Sequence, residues 1–319
     1  MSRKPLGVTA LVAAIALLVG CSSTTTEGFA GSAKGKHTAR FVQQPWGDLV
    51  VETEISKQIF TKLGYDATVQ EVSVPLAGQA LATGQADAYL GNWWPSQKPV
   101  FGSILDAEKA KVAGTLLTGT QYAPAVPGYV VDKLGVRSLA DLAAHGDEFG
   151  HEILGIEPGA PGNKIVSDAI QKNAYGLEGW KLVQSSTEAM LAEVSRRATK
   201  QQPVVFLGWS PHWMTLQFKL HFLDDPQHVW PGAGQIRVLA RSGLEKDDPN
   251  LYRFLSHVRV DSDTASQWIS NLDKDKKPAD TVASEWIQAH PDVVKQWLAG
   301  VTSVDGKPAA DVVLSGGSR

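Results

Sequence analysis

Cysteine is nearly absent. The 319 residues hold one, Cys21, so no disulfide can form within the chain. There is no block of basic residues either: 30 lysines and arginines stand against 33 acidic residues, for a net charge of −3. That balance argues against a nucleic-acid partner. Beyond the N-terminus no apolar run reaches the roughly 20 residues that span a bilayer. Catalytic signatures are missing too. "GWSPHW" sets Ser210 near His212 but is not a Gly-x-Ser-x-Gly elbow. No His-x-x-x-His pattern or cysteine pair offers a metal site. "GIEPGAPGN" (155–163) is glycine-rich yet lacks the lysine and serine or threonine that close a phosphate loop. The expectation is a protein that is not an enzyme, with no cofactor, metal or catalytic residue.

What is present begins with a targeting segment. Arg3 and Lys4 precede an apolar run from Leu6 to Gly20, too short to span a membrane. It ends in Leu18-Val19-Gly20-Cys21, which resembles a bacterial lipobox with Cys21 as the acylated residue. Removal of the leader leaves 28 basic against 33 acidic residues. Residues 1–20 are expected to be the signal peptide. Residues 21–36, small and polar, are expected to form a tether from the lipid anchor. The protein is then exported and held at the outer face of a bacterial membrane, as a monomer.

The remaining chain alternates strand-like and helix-like stretches. "TARFVQ", "ATVQEVSV" and Ala86–Leu90 read as strands in the first half, with helices over Leu49–Leu63 and 75–83. "WKLVQSS" and "PVVFLGW" read as strands in the second, with helices from Asn163 and over Thr187–Thr199. The alternation predicts an α/β fold with mostly parallel sheets. Two strand ends match, "AYLGNWWPS" and "VFLGWSPHW", and nearly equal spans separate Asp48 from Trp93 and Asn163 from Trp209. Both polar residues stand where N-caps are wanted. Two similar lobes follow, lobe 1 from 37–121 and 228–319 and lobe 2 from 122–227, with crossings near 121–127 and 221–228. The C-terminal stretches "PNLYRFLSHV", "DTASQWISNL" and "TVASEWIQAHPDVVKQWLAG" read as helices on lobe 1, with Trp268, Trp286 and Trp297 in its core.

Ten tryptophans against six tyrosines is an unusual ratio. Trp46, Trp93, Tyr122 and Trp209 fall on predicted loops or strand ends, where open α/β sheets bind ligands. Four rings can enclose a quaternary ammonium, which has no N–H to donate and is held by ring faces instead. At about 1–2 kcal/mol for each desolvated contact, the rings supply about 4–8 kcal/mol. Asp48 can add a carboxylate beside the cation. Backbone N–H groups over 159–163, at a predicted helix start, can receive a carboxylate tail.

The stretches "QPWGD", "DAYLGNWWPS", "GIEPGAPGN", "VFLGWSPHWM" and "EWIQAHPDVVKQWL", in this order, resemble the substrate-binding proteins of ABC importers for glycine betaine, choline and related quaternary amines. The resemblance runs from about 40 to 298. It implies a two-lobed, type II periplasmic-binding-protein-like fold that closes on its ligand and delivers it to a membrane permease. It also implies that Trp46, Trp93, Tyr122 and Trp209 match the aromatic box and Asp48 the acidic residue of choline-type members. Such members offer an asparagine to the ligand hydroxyl where this chain has Ala160; Asn163, three residues on, either substitutes for it or caps its helix. His212 and Trp213 are further candidates near the cleft. A different small cation or amino acid is the alternative ligand. A carbohydrate-active protein is the rival from another class; it would need a carboxylate pair, for which Asp48 and Glu157 are the candidates.

Overall fold

A computed structural model of the protein describes residues 37–315. The expected signal peptide, tether and lipidated Cys21 lie outside them. The chain opens with β1 (Thr38–Gln43), α1 (Gly47–Lys62), β2 (Asp66–Glu71), α2 (Val74–Ala82), β3 (Ala88–Trp94) and α3 (Lys98–Asp106). A long strand, β4 (Ala110–Val126), leads into α4 (Gly128–Leu134), α5 (Gly146–Phe149), β5 (Glu152–Leu154), α6 (Pro161–Gln171), β6 (Lys181–Val183), α7 (Thr187–Thr199), β7 (Phe206–Ser210), α8 (Met214–Gln217) and β8 (His221–Phe222). The chain then returns through β9 (Gly234–Arg241) to α9 (Leu244–Asp247), α10 (Pro249–His257), α11 (Ser262–Asp273), α12 (Ala279–Ala289), α13 (Pro291–Trp297) and α14 (Ala309–Leu314).

The strands run in the order β2-β1-β3-β9-β4-β7-β5-β6, with β8 beside β4. β1 pairs in parallel with β2 and β3, and β5 does so with β6 and β7. The βαβ reading of both halves therefore holds. The antiparallel pairs come from β4 and β9, two strands the sequence reading passed over. The β4 sequence carries turn signals inside the strand, Gly114, Gly119 and Pro124. Gly119 has a φ of +74° and sits where the β4–β9 register shifts, so this glycine marks a bulge and not a turn.

β4 belongs to both sheets. Ala110–Thr120 pairs with β9, and from Gln121 to Ala125 the same strand pairs with β7. β3 and β7 share one more trait: each is followed by a cis Xaa–Pro bond, Trp94–Pro95 and Ser210–Pro211.

α1 buries Leu49, Val51, Ile55, Ile59 and Phe60 and packs against β1 and β2 on one side and α11 and α12 on the other. The three C-terminal tryptophans fill the space beyond. Trp268 meets Trp286 edge-on at 5.2 Å, and Trp286 stacks on Trp297 at 5.0 Å. Burial of such rings removes about 150–250 Å² each from water. Trp94 faces away from these groups: Arg237 of β9 lies over its ring at 3.8 Å.

Candidate functional site

Residues of the two halves line a small pocket of about 30 Å³. Trp46 comes from the turn between β1 and α1, Trp93 from β3, Tyr122 from β4 just past the sheet handover, and Trp209 from β7. Tyr122 and Trp209 are directly paired across antiparallel strands, which fixes their rings side by side. Trp93 meets Tyr122 at 6.1 Å and 65°, and Tyr122 meets Trp209 at 6.2 Å and 81°. Steep angles make these rings walls of a box, not a stack. Trp93 stands within β3, which runs past the Leu90 end expected from the sequence, and Trp209 lies near the end of β7, as expected.

Ile156, Ala160 and Pro161 close one end, and Ser96 and Gln97 add polar edges. Asp48 is the one charged residue in the lining. It lies in the first turn of α1 and does not cap it; Trp46 holds the N-cap position. Burial pushes its carboxyl up to about 6, opposed by backbone N–H groups at the helix start and reinforced by the charge of Asp273. One turn along, Glu52 is also buried, and burial with the Asp48 charge holds it well above the usual carboxylate range.

Asn163 is not brought to the cavity, and it does not cap its helix; Ala160 occupies that position. Its Oδ1 accepts from Ile156 N at 3.0 Å, while its Nδ2 donates to Ile156 O, Glu157 O and Gln184 Oε1. The side chain thus pins the turn that carries Glu157. Glu157 is no partner for Asp48 in acid–base work, because its carboxylate already accepts from Trp46 Nε1, Thr187 N and Thr187 Oγ1. His212 and Trp213 stay outside the cavity. His212 packs behind Trp209 at 5.1 Å, its Nδ1 accepts from Met214 N, and burial lowers its pKa to about 3, so it is neutral.

Several residues of the site had no signal in the sequence. Trp230, on the return to β9, meets Tyr122 edge-on at 5.1 Å. Gln97 donates to Gly91 O and accepts from Asn92, whose Oδ1 receives Arg237 Nε; this buried network fixes the backbone beneath Trp93. The Tyr122 hydroxyl is buried without a hydrogen-bond partner, and burial raises its pKa, so it stays protonated. It rests against Gly162, where a Cβ would run into it. Gly162→Ala is expected to push the Tyr122 ring into the cavity and weaken ligand binding roughly tenfold, as overpacking of about 1–3 kcal/mol does; calorimetry on the variant checks this.

The family model described as the substrate binding domain of ABC-type glycine betaine transport systems matches residues 38–289. The glycine betaine/carnitine transport binding protein GbuC of Listeria monocytogenes is 34% identical over 161 residues, which cover 50% of this chain and 53% of that protein. This chain thus spans about half the length of that relative. A solved ABC-transporter choline binding protein in complex with choline is 30% identical, with a TM-score of 0.85 over 88% of this chain and 98% of that one. Lactococcal OpuAC, closed and complexed with glycine betaine, is 26% identical, with a TM-score of 0.72 over 82% and 99%.

Proposed function

The chain belongs to the substrate-binding domains of ABC-type glycine betaine transport systems, and on that premise we propose that it captures a quaternary ammonium compound in the four-ring cavity and delivers it to a membrane permease. The observation that carries the reading is the convergence of Trp46, Trp93, Tyr122 and Trp209 with one carboxylate, Asp48, on one pocket. Trimethylammonium has no hydrogen-bond donor, and a dry box of ring faces is the surface that favours it over a hydrated cation. A tail without charge suits the single carboxylate best, since choline and Asp48 sum to zero. The orphaned Tyr122 hydroxyl is the group available to a tail oxygen.

The two lobes turn about β4, where Thr120 and Gln121 change sheets, and about the stretch between β8 and β9. Cys21 anchors the exported monomer to the membrane, and the residues after it are the tether. Among the described residues no helix is long and apolar enough to cross a membrane. A carbohydrate reading lacks its second carboxylate at the cavity, because Glu157 is held at the rim by Trp46 and Thr187.

Titration calorimetry with choline, glycine betaine, carnitine and a neutral sugar tests the proposal. Micromolar binding of at least one quaternary amine and none of the sugar is the expected result. Absence of quaternary-amine binding below millimolar concentration refutes it.

A further inference from the structure

Among the described residues, two side chain–side chain hydrogen bonds cross between the lobes, and they have the same chemistry in opposite directions. Trp46 Nε1 donates to Glu157 Oε2 at 3.0 Å, and Trp213 Nε1 donates to Asp273 Oδ2 at 2.8 Å. Trp46 stands at the start of α1, and Asp273 ends α11, which packs on α1. Glu157 follows β5, and Trp213 follows β7. Each half therefore offers one indole and one carboxylate to the other. Trp46 and Glu157 line one groove between the halves, and Trp213 and Asp273 line another.

From this reciprocity we propose that Glu157 and Asp273 are positioning residues that latch the lobes shut and set how long the ligand stays. The proposal rests on the binding reading above. The Glu157 carboxylate is held ready from within its own lobe: Thr187 N at 2.7 Å and Thr187 Oγ1 at 3.0 Å, at the N-terminus of α7, donate to it and fix its direction. Asp273 meets the other lobe at more than the indole: it lies 3.7 Å from His212 Nε2, and its neighbour Lys274 sits 4.8 Å over the Trp213 ring. Each latch also touches the cage. Trp46 is itself a wall, and Trp213 reaches Trp209 through the His212 ring, at 4.9 Å and 5.1 Å. An indole held by a carboxylate cannot swing away from the cation without breaking a charge-assisted hydrogen bond. The latches form only when the lobes meet, so they act on ligand escape and not on first encounter.

Stopped-flow kinetics with choline tests this on the wild type, Glu157→Ala, Asp273→Ala and the double variant. The expected result is a dissociation rate raised roughly tenfold or more by each change, the range for one hydrogen bond to a charged group. The association rate should stay within about twofold, and the double variant should be near the product of the singles. Glu157→Gln and Asp273→Asn keep a carbonyl acceptor and should recover part of the residence time, which a general folding defect would not allow. Unchanged dissociation, or association slowed as much as dissociation is hastened, overturns the latch. If the wild type binds no quaternary amine, the functional reading fails instead, and the latch is read from spin-label distances between the lobes of the ligand-free protein. Loss of closed population in the double variant supports it there, and identical distance distributions overturn it.

Discussion

Trp93→Ala is expected to abolish choline binding in calorimetry, while Trp94→Ala leaves the affinity within about threefold and lowers the unfolding free energy by about 2 kcal/mol. The two rings leave β3 on opposite sides. Trp93 lines the cavity and meets Tyr122 at 6.1 Å. Its loss removes a wall, admits water beside the cation and leaves Tyr122 with only the Trp209 and Trp230 rings against its own. A central aromatic anchor of this kind is worth about 2–4 kcal/mol, or up to three orders of magnitude in affinity. Trp94 lies beneath the Arg237 guanidinium at 3.8 Å. Arg237 is half-buried, burial lowers its pKa to about 10, and the charge it keeps is partnered by that ring and by Asn92 Oδ1. Removing Trp94 strips the cation of a partner without touching the ligand. Equal loss of binding in both variants would overturn this division of roles.

Asp48→Asn should move binding and stability in opposite directions. The Asp48 carboxyl is raised from 3.8 to about 6 in the folded protein. Between those values the native state holds more proton than the unfolded chain, so stability falls as pH rises through that window. Above pH 6 the ionised group costs about 3 kcal/mol, and the neutral amide is relieved of it. Thermal and denaturant unfolding at pH 7.5 should therefore show a more stable variant. Choline affinity should drop about a hundredfold, since the buried cation loses its counter-charge. In the wild type, choline affinity should be flat above pH 6 and fall by up to tenfold per pH unit below it, as Asp48 takes up its proton. The variant should show no such dependence. Glu52 and Asp273 are the other carboxylates facing Asp48, and Tyr89 and Tyr122 stay protonated throughout. A variant that binds choline as well as the wild type at pH 7.5 would remove Asp48 from the site.

The outline of the fold was legible because α1, α7 and the C-terminal helices have regular apolar spacing, and β1, β2 and β6 are short runs between turn residues. β4 and β9 were not, because Gly114, Gly119 and Pro124 interrupt the first and a bulged ladder needs no clean alternation. The aromatic candidates were legible as rare residues at repeated strand ends. Their partners were not. Glu157 and Asp273 are ordinary acidic residues in sequence, and only the approach of two distant segments gives them an indole each. Asn163 misled for a related reason: a polar residue at a helix start reads as a cap, but here Ala160 takes that position and the amide holds a turn together.

The handover of β4 between sheets carries one mechanical consequence. In the proposed function the lobes turn about β4, and Tyr122, two residues past Thr120, stands close to that axis. A point near an axis moves little when the body rotates, and a distant point sweeps a long arc. Tyr122 therefore keeps its place as the lobes part, and the travel falls on the walls farther from the strand, where Trp46 faces Glu157. An arriving cation meets a standing ring first and is enclosed by moving ones afterwards, so entry and enclosure are governed by different residues.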